Sequence, residues 1–276
     1  MSQHPASDEA PLREVIRDGA LQSSLEEAAL VLARQEYPDL QPTPWLARLD
    51  AYAELARPML SSQADAAEIV GVVNDILFRD LGFRGNNEDY YDARNSFLND
   101  VLERRIGIPI SLSVVYIGVA RRLGLELRGT AFPGHFLLVH ERDGWPIVID
   151  AFERGRILER EDCEALLVRF GDQEWDARVL APVEDLSILR RMLNNLKAIY
   201  LNQRDWQRLL RTSNQILVVT PDDHEEYFTQ GVALAGTGAV KAAIEALEHY
   251  LTLVPDAANR DTVLEVLSDL RKRLAD

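Results

Sequence analysis

His135 and Asp150 are the residues of this sequence best suited to acid–base chemistry. They are 15 residues apart and flank a predicted β-hairpin, with Asp143-Gly144 as its turn. On facing strands, Asp150 would accept the imidazole N–H, fix its tautomer and stabilise its charged form. The pair therefore predicts the base and the orienting carboxylate of a catalytic triad, and the alternative is a structural histidine that bridges two strands.

Two residues are candidates for the nucleophile that such a pair would activate. Ser111 is the nearest hydroxyl, but it also suits a cap of the helix predicted to begin at Leu112, with Ile110 and Val115 as a hydrophobic staple. Cys163 is the single cysteine and lies on a predicted helix after Asp150. A lone cysteine among leucines is also typical of a small buried core residue, so both alternatives stay open.

Helices and strands together must position these residues. Residues 112–123 are apolar nearly all round, which predicts a central buried helix, and several amphipathic helices precede it. Residues 125–132, 135–140 and 146–150 have the composition of three strands. The sequence thus predicts an α+β domain in which helices pack on a small antiparallel sheet.

The chain from residue 186 onwards is predicted to be helical, and it carries a repeat. Pro221 and Pro255 lie 34 residues apart, and the small residues Gly231 and Ala243 fall where helices would come close. A helix–turn–helix period of 34 residues predicts tetratricopeptide repeats, which bind proteins or peptides. Two repeats and a terminal helix are fewer than independent stability usually needs, so we expect the module to dock on the preceding domain.

Composition excludes several classes of function. The chain has 276 residues, 45 of them acidic and 30 basic, for a formal charge of −15. This charge argues against general binding to nucleic acid or to an anionic membrane surface. One cysteine permits neither an intramolecular disulfide nor a cysteine-based zinc site, and no Walker or zincin motif occurs. We expect no metal and no cofactor.

The expected organisation is a loose N-terminal tail over residues 1–22, an α+β domain over 23–185 and the repeats over 186–276. No run of 18 apolar residues occurs, so no membrane-spanning helix is expected. The N-terminus lacks a basic region followed by an apolar stretch, which argues against a secretory signal. The single cysteine fits the reducing cytoplasm.

Three runs resemble the SirB-type transglutaminase-like proteins of bacteria, which carry a tetratricopeptide tail. They are residues 90–98 (YYDARNSFL), 107–113 (GIPISLS) and 132–136 (FPGHF). The resemblance extends from about Trp45 to the C-terminus and implies a papain-related transglutaminase-like domain. It also implies a pocket around the His–Asp pair, with Tyr91, Asn95, Pro109 and Trp145 as further members. Asn95 would either bond to that pair or cap a helix.

The sequence departs from the family at the position of the nucleophile. In active transglutaminase-like enzymes a cysteine opens the helix, in a pattern like Arg-x-Gly-x-Cys, and carried onto residues 105–109 that position is Pro109. The resemblance therefore implies a degenerate domain that acts with the repeats as a protein-interaction or regulatory factor. The alternative is a cysteine-independent amide hydrolase or acyl transferase that uses His135 and Asp150 with Ser111 or a water molecule.

Overall fold

The structure, a computed structural model, describes residues 12–130, 132–171 and 175–275. The chain divides into two compact units. The first unit is Ser23–Met192, and the second contains the residues from Leu193 onwards together with residues 12–22. The division lies within one continuous helix, Asp185–Gln203, and the predicted boundary at 185/186 lies at the start of that helix.

Residues 12–22 differ from the loose tail that their composition predicts. Residues 12–15 form a helical turn, and strand β1 (Ile16–Arg17) pairs antiparallel with β2 (Ala20–Leu21). Leu12 and Ile16 are buried, so two apolar side chains fix a segment that is otherwise polar. Residues 1–11 of the predicted tail lie outside the described residues.

The helices of the first unit pack around one of their number. They are α1 (Leu25–Leu32), α2 (Pro42–Ala56), α3 (Ala66–Asn74), α4 (Leu98–Arg104), α5 (Pro109–Arg122) and α6 (Arg160–Gly171). Helix α5 contacts α1 to α4, and residues 109–120 are all buried, as expected of a helix without a polar face. It begins at Pro109 and not at the predicted Leu112, because proline suits the first helical position.

A four-stranded antiparallel sheet forms the other layer of this unit. Its strands lie in the order β5 (Arg128–Gly129), β6 (Leu138–His140), β7 (Ile147–Asp150) and β8 (Arg156–Leu158), and a separate parallel pair joins β3 (Arg84–Gly85) to β4 (Ile106–Gly107). The register pairs Leu138 with Ile149. The α+β class is confirmed, whereas β8 was not predicted because it is short and largely exposed.

The second unit is built from helical hairpins. Its helices are α7 (Asp185–Gln203), α8 (Trp206–Val219), α9 (Glu225–Gly236), α10 (Val240–Leu253) and α11 (Arg260–Ala275), of which α7 begins in the first unit. A Cβ on Gly231 would lie 2.5 Å from the Leu247 side chain, so the small residue lets α9 approach α10 closely. None of the described helices combines the length and apolar character that crossing a membrane requires.

Candidate functional site

The structure brings His135 and Asp150 into direct contact. Nε2 of His135 lies 2.7 Å from Oδ2 of Asp150, and the two residues are only 7% and 1% exposed. The other carboxylate oxygen, Oδ1, accepts the backbone N–H groups of Phe152 at 3.0 Å and Glu153 at 3.2 Å. With one oxygen held by backbone, Asp150 presents the other to His135 in a fixed orientation.

His135 lies in a turn and not at the start of a strand as predicted, since β6 begins at Leu138. Gly134 precedes it with φ 66°, a left-handed conformation that favours glycine. A Cβ on Gly134 would also lie 2.6 Å from the Cβ of Phe170. Glycine therefore serves both the turn and the close approach of α6.

The Phe170 ring covers one face of the imidazole. The two rings are stacked at 5.4 Å with an interplanar angle of 6°, and Phe152 meets the imidazole edge-on at 6.4 Å. Arg191 donates a hydrogen bond to the backbone carbonyl of His135. These contacts and Asp150 hold the imidazole in one orientation, with no described partner on Nδ1.

A cavity of about 360 Å³ opens beside this pair. Its apolar and aromatic lining comes from Tyr90, Pro109, Phe152, Leu166 and Phe170, and its polar lining from Asn87, His135, Asp150, Glu153 and Arg169. Burial raises the pKa of Tyr90 above its ordinary value. Among the described lining residues none is a serine, threonine or cysteine.

Pro109 is the predicted pocket residue that lines this cavity. It is the first residue of α5, and it lines the same cavity as His135 and Asp150. The geometry thus places the hydrogen-bonded pair of His135 and Asp150 and the proline at the helix start around one cavity.

Ser111 is not brought to the His–Asp pair. Its Oγ donates to the carbonyl of Asn95 at 2.6 Å and accepts the N–H of Ile108 at 3.1 Å, and the residue is fully buried outside the cavity lining. Two residues along a helix rotate a side chain by about 200°, which turns Ser111 away from the side that Pro109 faces. It serves the helix start, from the third helical position and not as the residue before Leu112.

Asn95, Tyr91 and Trp145 do not line the cavity. Asn95 is buried and donates to the carbonyls of Asp89 at 2.7 Å and Tyr90 at 3.2 Å. It therefore fixes the loop that carries Tyr90, and it neither bonds to the His–Asp pair nor caps a helix. Tyr91 is 67% exposed. Trp145 donates from its indole to the carbonyl of Leu158, which supports the sheet.

Eight of the described lining residues were not predicted as site residues: Asn87, Tyr90, Gly134, Phe152, Glu153, Leu166, Arg169 and Phe170. Phe152 carried a local signal, because it follows Asp150 directly in the turn that the carboxylate caps. Phe170 and Arg169 lie on α6, and only the packing of that helix brings them to the cavity.

Asn74 supports the turn between β7 and β8. Its amide donates to the carbonyl of Gly155 at 2.8 Å and accepts the Tyr116 hydroxyl at 2.9 Å. Helix α3 ends at Asn74 and continues as a π-helical turn over Asp75–Asp80. The turn that holds Phe152 and Glu153 is thereby tied to the buried helix α5.

Cys163 belongs to the core. It is fully buried in a cluster with Leu137, Val148 and Leu167, and burial raises the pKa of its thiol to about 12. A protonated, inaccessible thiol is a poor nucleophile. Within the described residues, no group of three His, Cys, Asp or Glu side chains is arranged to hold a metal ion.

Comparison with known proteins gives two family matches that follow one another along the chain. Residues 43–194 match the transglutaminase-like superfamily, and residues 196–268 match the tetratricopeptide repeat. The predicted order of the two modules is therefore confirmed. No solved structure matches the chain significantly.

Relatives share most of the chain. A UPF0162 protein of Xylella fastidiosa is 39% identical over 251 residues, covering 89% of each chain. A UPF0162 protein of Vibrio cholerae is 31% identical over 241 residues, covering 84% of this chain and 87% of that protein. F-box only protein 21 of Mus musculus is 32% identical over 208 residues, covering 68% of this chain and 32% of that protein. By these matches, the chain belongs to the UPF0162 family, with a transglutaminase-like domain followed by tetratricopeptide repeats.

Proposed function

We propose that the transglutaminase-like domain of this protein is degenerate and that the protein acts as a protein-interaction or regulatory factor. The observation that carries the proposal is that Pro109 lines the cavity beside His135 and Asp150. The sequence resemblance aligns Pro109 with the cysteine of active transglutaminase-like enzymes. Thiol acyl transfer needs a thiolate within reach of the histidine. Pro109 offers none, and the buried thiol of Cys163 is held in the core.

The tetratricopeptide repeats supply the interaction half of the proposal. Such repeats generally mediate protein–protein interactions, and here two hairpins and a terminal helix follow the domain. A protein or peptide partner is therefore assigned to this module. A cytoplasmic location belongs to the same proposal and is supported by the single, unpaired cysteine.

One observation favours a second candidate function. Nδ1 of His135 has no described hydrogen-bond partner, and the residue lines the cavity while Asp150 holds Nε2. An imidazole so held could take a proton from a water molecule that attacks an amide or ester carbonyl. The second candidate is therefore a hydrolase that uses water and no protein nucleophile.

A labelling and hydrolysis experiment separates the two. The wild-type protein, His135→Ala and the control His140→Ala are incubated with a fluorophosphonate probe and, separately, with p-nitrophenyl acetate. His140 is a matched control because its ring bonds to the carbonyl of Glu126, away from the cavity lining.

The degenerate domain predicts no covalent label and the same slow hydrolysis in all three proteins. A label on Ser111 that disappears in His135→Ala would support the serine-dependent enzyme. Hydrolysis that falls in His135→Ala and not in His140→Ala would support the water-dependent enzyme. Either result would refute the degenerate domain.

A further inference from the structure

Aromatic rings form a continuous series that begins at Tyr91, outside the His135 cavity, and continues along the cavity wall. The ring centroids of Tyr91 and Tyr90 are 5.4 Å apart, and those of Tyr90 and Phe152 are 6.3 Å apart. The imidazole of His135 lies 6.4 Å from the Phe152 ring and 5.4 Å from the Phe170 ring. The outer members are accessible: Tyr91 is 67%, Tyr90 43% and Phe170 39% exposed. Exposed tyrosines around a concave site are typical of the anchoring region of an interface.

The unit that carries this series is acidic as a whole. Residues 23–192 contain 29 acidic and 19 basic side chains, a formal charge of −10 out of −15 for the chain. Glu153 lines the cavity, is exposed, and has no ion-pair partner among the described residues. Glu88 and Asp89 precede Tyr90 in the same loop. Charge complementarity therefore favours a positively charged partner.

The imidazole of His135 offers a ligand in the cavity one hydrogen-bond acceptor. When neutral His135 donates from Nε2 to Asp150, its Nδ1 is an acceptor, and it has no described partner. A guanidinium carries five N–H donors in a plane and stacks on aromatic rings. Its charge also suits the free carboxylate of Glu153.

Arg169 is the one arginine or lysine among the described lining residues, and its guanidinium already lies over an aromatic ring. Its guanidinium carbon lies 5.1 Å from the centroid of Phe170. Because the imidazole stacks on the same Phe170 ring, Tyr90 and Phe152 are the rings left for a ligand. Arg169 would repel a second cation, so its removal is expected to strengthen the binding of a cationic side chain and to weaken that of an anionic one.

We propose that this cavity receives an arginine side chain from a basic segment of a protein partner, with Tyr90 and Phe152 beside the guanidinium and Glu153 as its counter-charge. The inference rests on the proposed function, since it gives the cavity of a non-catalytic domain a binding role. The inference specifies that the partner segment bound by the transglutaminase-like domain is basic. The repeats alone do not specify this chemistry.

Four short peptides test this on the full chain. They have the form acetyl-Gly-Ser-X-Ser-Gly-amide, where X is arginine, citrulline, lysine or glutamate. Binding is followed by NMR through the side-chain signals of His135 and the tyrosine rings. The arginine peptide should shift these signals saturably. The citrulline peptide has the same shape without the charge, and it should bind about tenfold more weakly. The glutamate peptide should not bind.

Three variants then locate the site. Glu153→Gln should weaken the arginine peptide about threefold to fivefold, whereas Glu161→Gln, an exposed acid of α6 outside the cavity lining, should leave it unchanged. Arg169→Gln should strengthen it. Opposite effects of the Glu153 and Arg169 changes would support a cationic ligand.

Several results would overturn the inference: no saturable binding, tighter binding of the glutamate peptide, equal binding of arginine and citrulline, or equal effects of the Glu153 and Glu161 changes. If the lysine peptide binds at least as tightly as the arginine peptide, the cavity is a general cation site that does not select a planar guanidinium. That result would refute the arginine assignment. None of these results bears on the fluorophosphonate and hydrolysis experiment, so failure here is distinguishable from failure of the proposed function.

Discussion

Nε2 of His135 lies 2.7 Å from Oδ2 of Asp150, and both residues are buried. The other carboxylate oxygen of Asp150 accepts hydrogen bonds from two backbone N–H groups of the following turn. The bond therefore connects the turn before β6 with the turn after β7. It holds the site together whether or not the site carries out chemistry.

The His135→Ala variant should lose stability. Removing the imidazole leaves Oδ2 of the buried Asp150 without its partner, and an unsatisfied buried group costs about 1–3 kcal/mol. The measurement is the free energy of unfolding from urea denaturation. His140→Ala, which removes one bond from a partly exposed ring, is the control with a smaller expected loss. An unchanged midpoint for His135→Ala would contradict a structural role for the pair.

The Pro109→Cys variant should gain a reactive thiol. The new side chain would line the cavity with His135, and a neighbouring imidazolium lowers a thiol pKa. We expect alkylation by iodoacetamide at pH 7 to be about tenfold faster than in the double variant Pro109→Cys/His135→Ala. The wild type is the blank, since its only thiol is buried. Equal rates in the single and double variants would show that the pair does not face this position.

Gly134→Ala and Gly144→Ala form a matched pair of changes. Both glycines have positive φ, 66° and 81°, which costs alanine about 1–2 kcal/mol. A Cβ on Gly144 meets nothing within 4 Å, whereas one on Gly134 lies 2.6 Å from the Cβ of Phe170. Gly134→Ala should therefore lose about 1 kcal/mol or more beyond Gly144→Ala in urea denaturation. Equal losses would mean that α6 moves away from His135 at no cost.

Cys163 should make the protein less stable at alkaline pH. Burial raises the pKa of its thiol from about 9 to about 12, so the folded protein retains a proton that the unfolded chain releases. The contribution of this thiol to the free energy of unfolding does not depend on pH below pH 9. It falls as the pH rises from 9 towards 12, by at most about 1.4 kcal/mol per pH unit. The measurement is the unfolding free energy of wild type minus that of Cys163→Ala at several pH values. A difference that does not change above pH 9 would contradict it.

Residues 186–276 expressed alone should fold poorly. Two repeats fall below the number that usually suffices, the fragment cuts α7 near its start, and it lacks residues 12–22, which belong to the same compact unit. The full chain should melt in one transition. Circular dichroism of the fragment and of the full chain tests this. A sharp, independent melt of the fragment would show that the repeats are autonomous.

Much of this architecture follows from local patterns in the sequence. An apolar stretch without a polar face determined that α5 is buried, and the 34-residue period determined the helical hairpins, since α8 and α10 begin that far apart. His135 and Asp150 were predicted to meet because a hairpin turn fixes the pairing of its own strands. These features depend on residues that are near one another in the chain.

The tertiary structure decided what local patterns do not contain. Ser111 follows Pro109 by two positions, yet helix rotation and the carbonyl of Asn95 take its hydroxyl away from the cavity. Phe170 reaches the imidazole because α6 packs beside the Gly134 turn. Each depends on a contact between separate elements, whose geometry follows from packing of the whole unit and not from the spacing of residues along the chain.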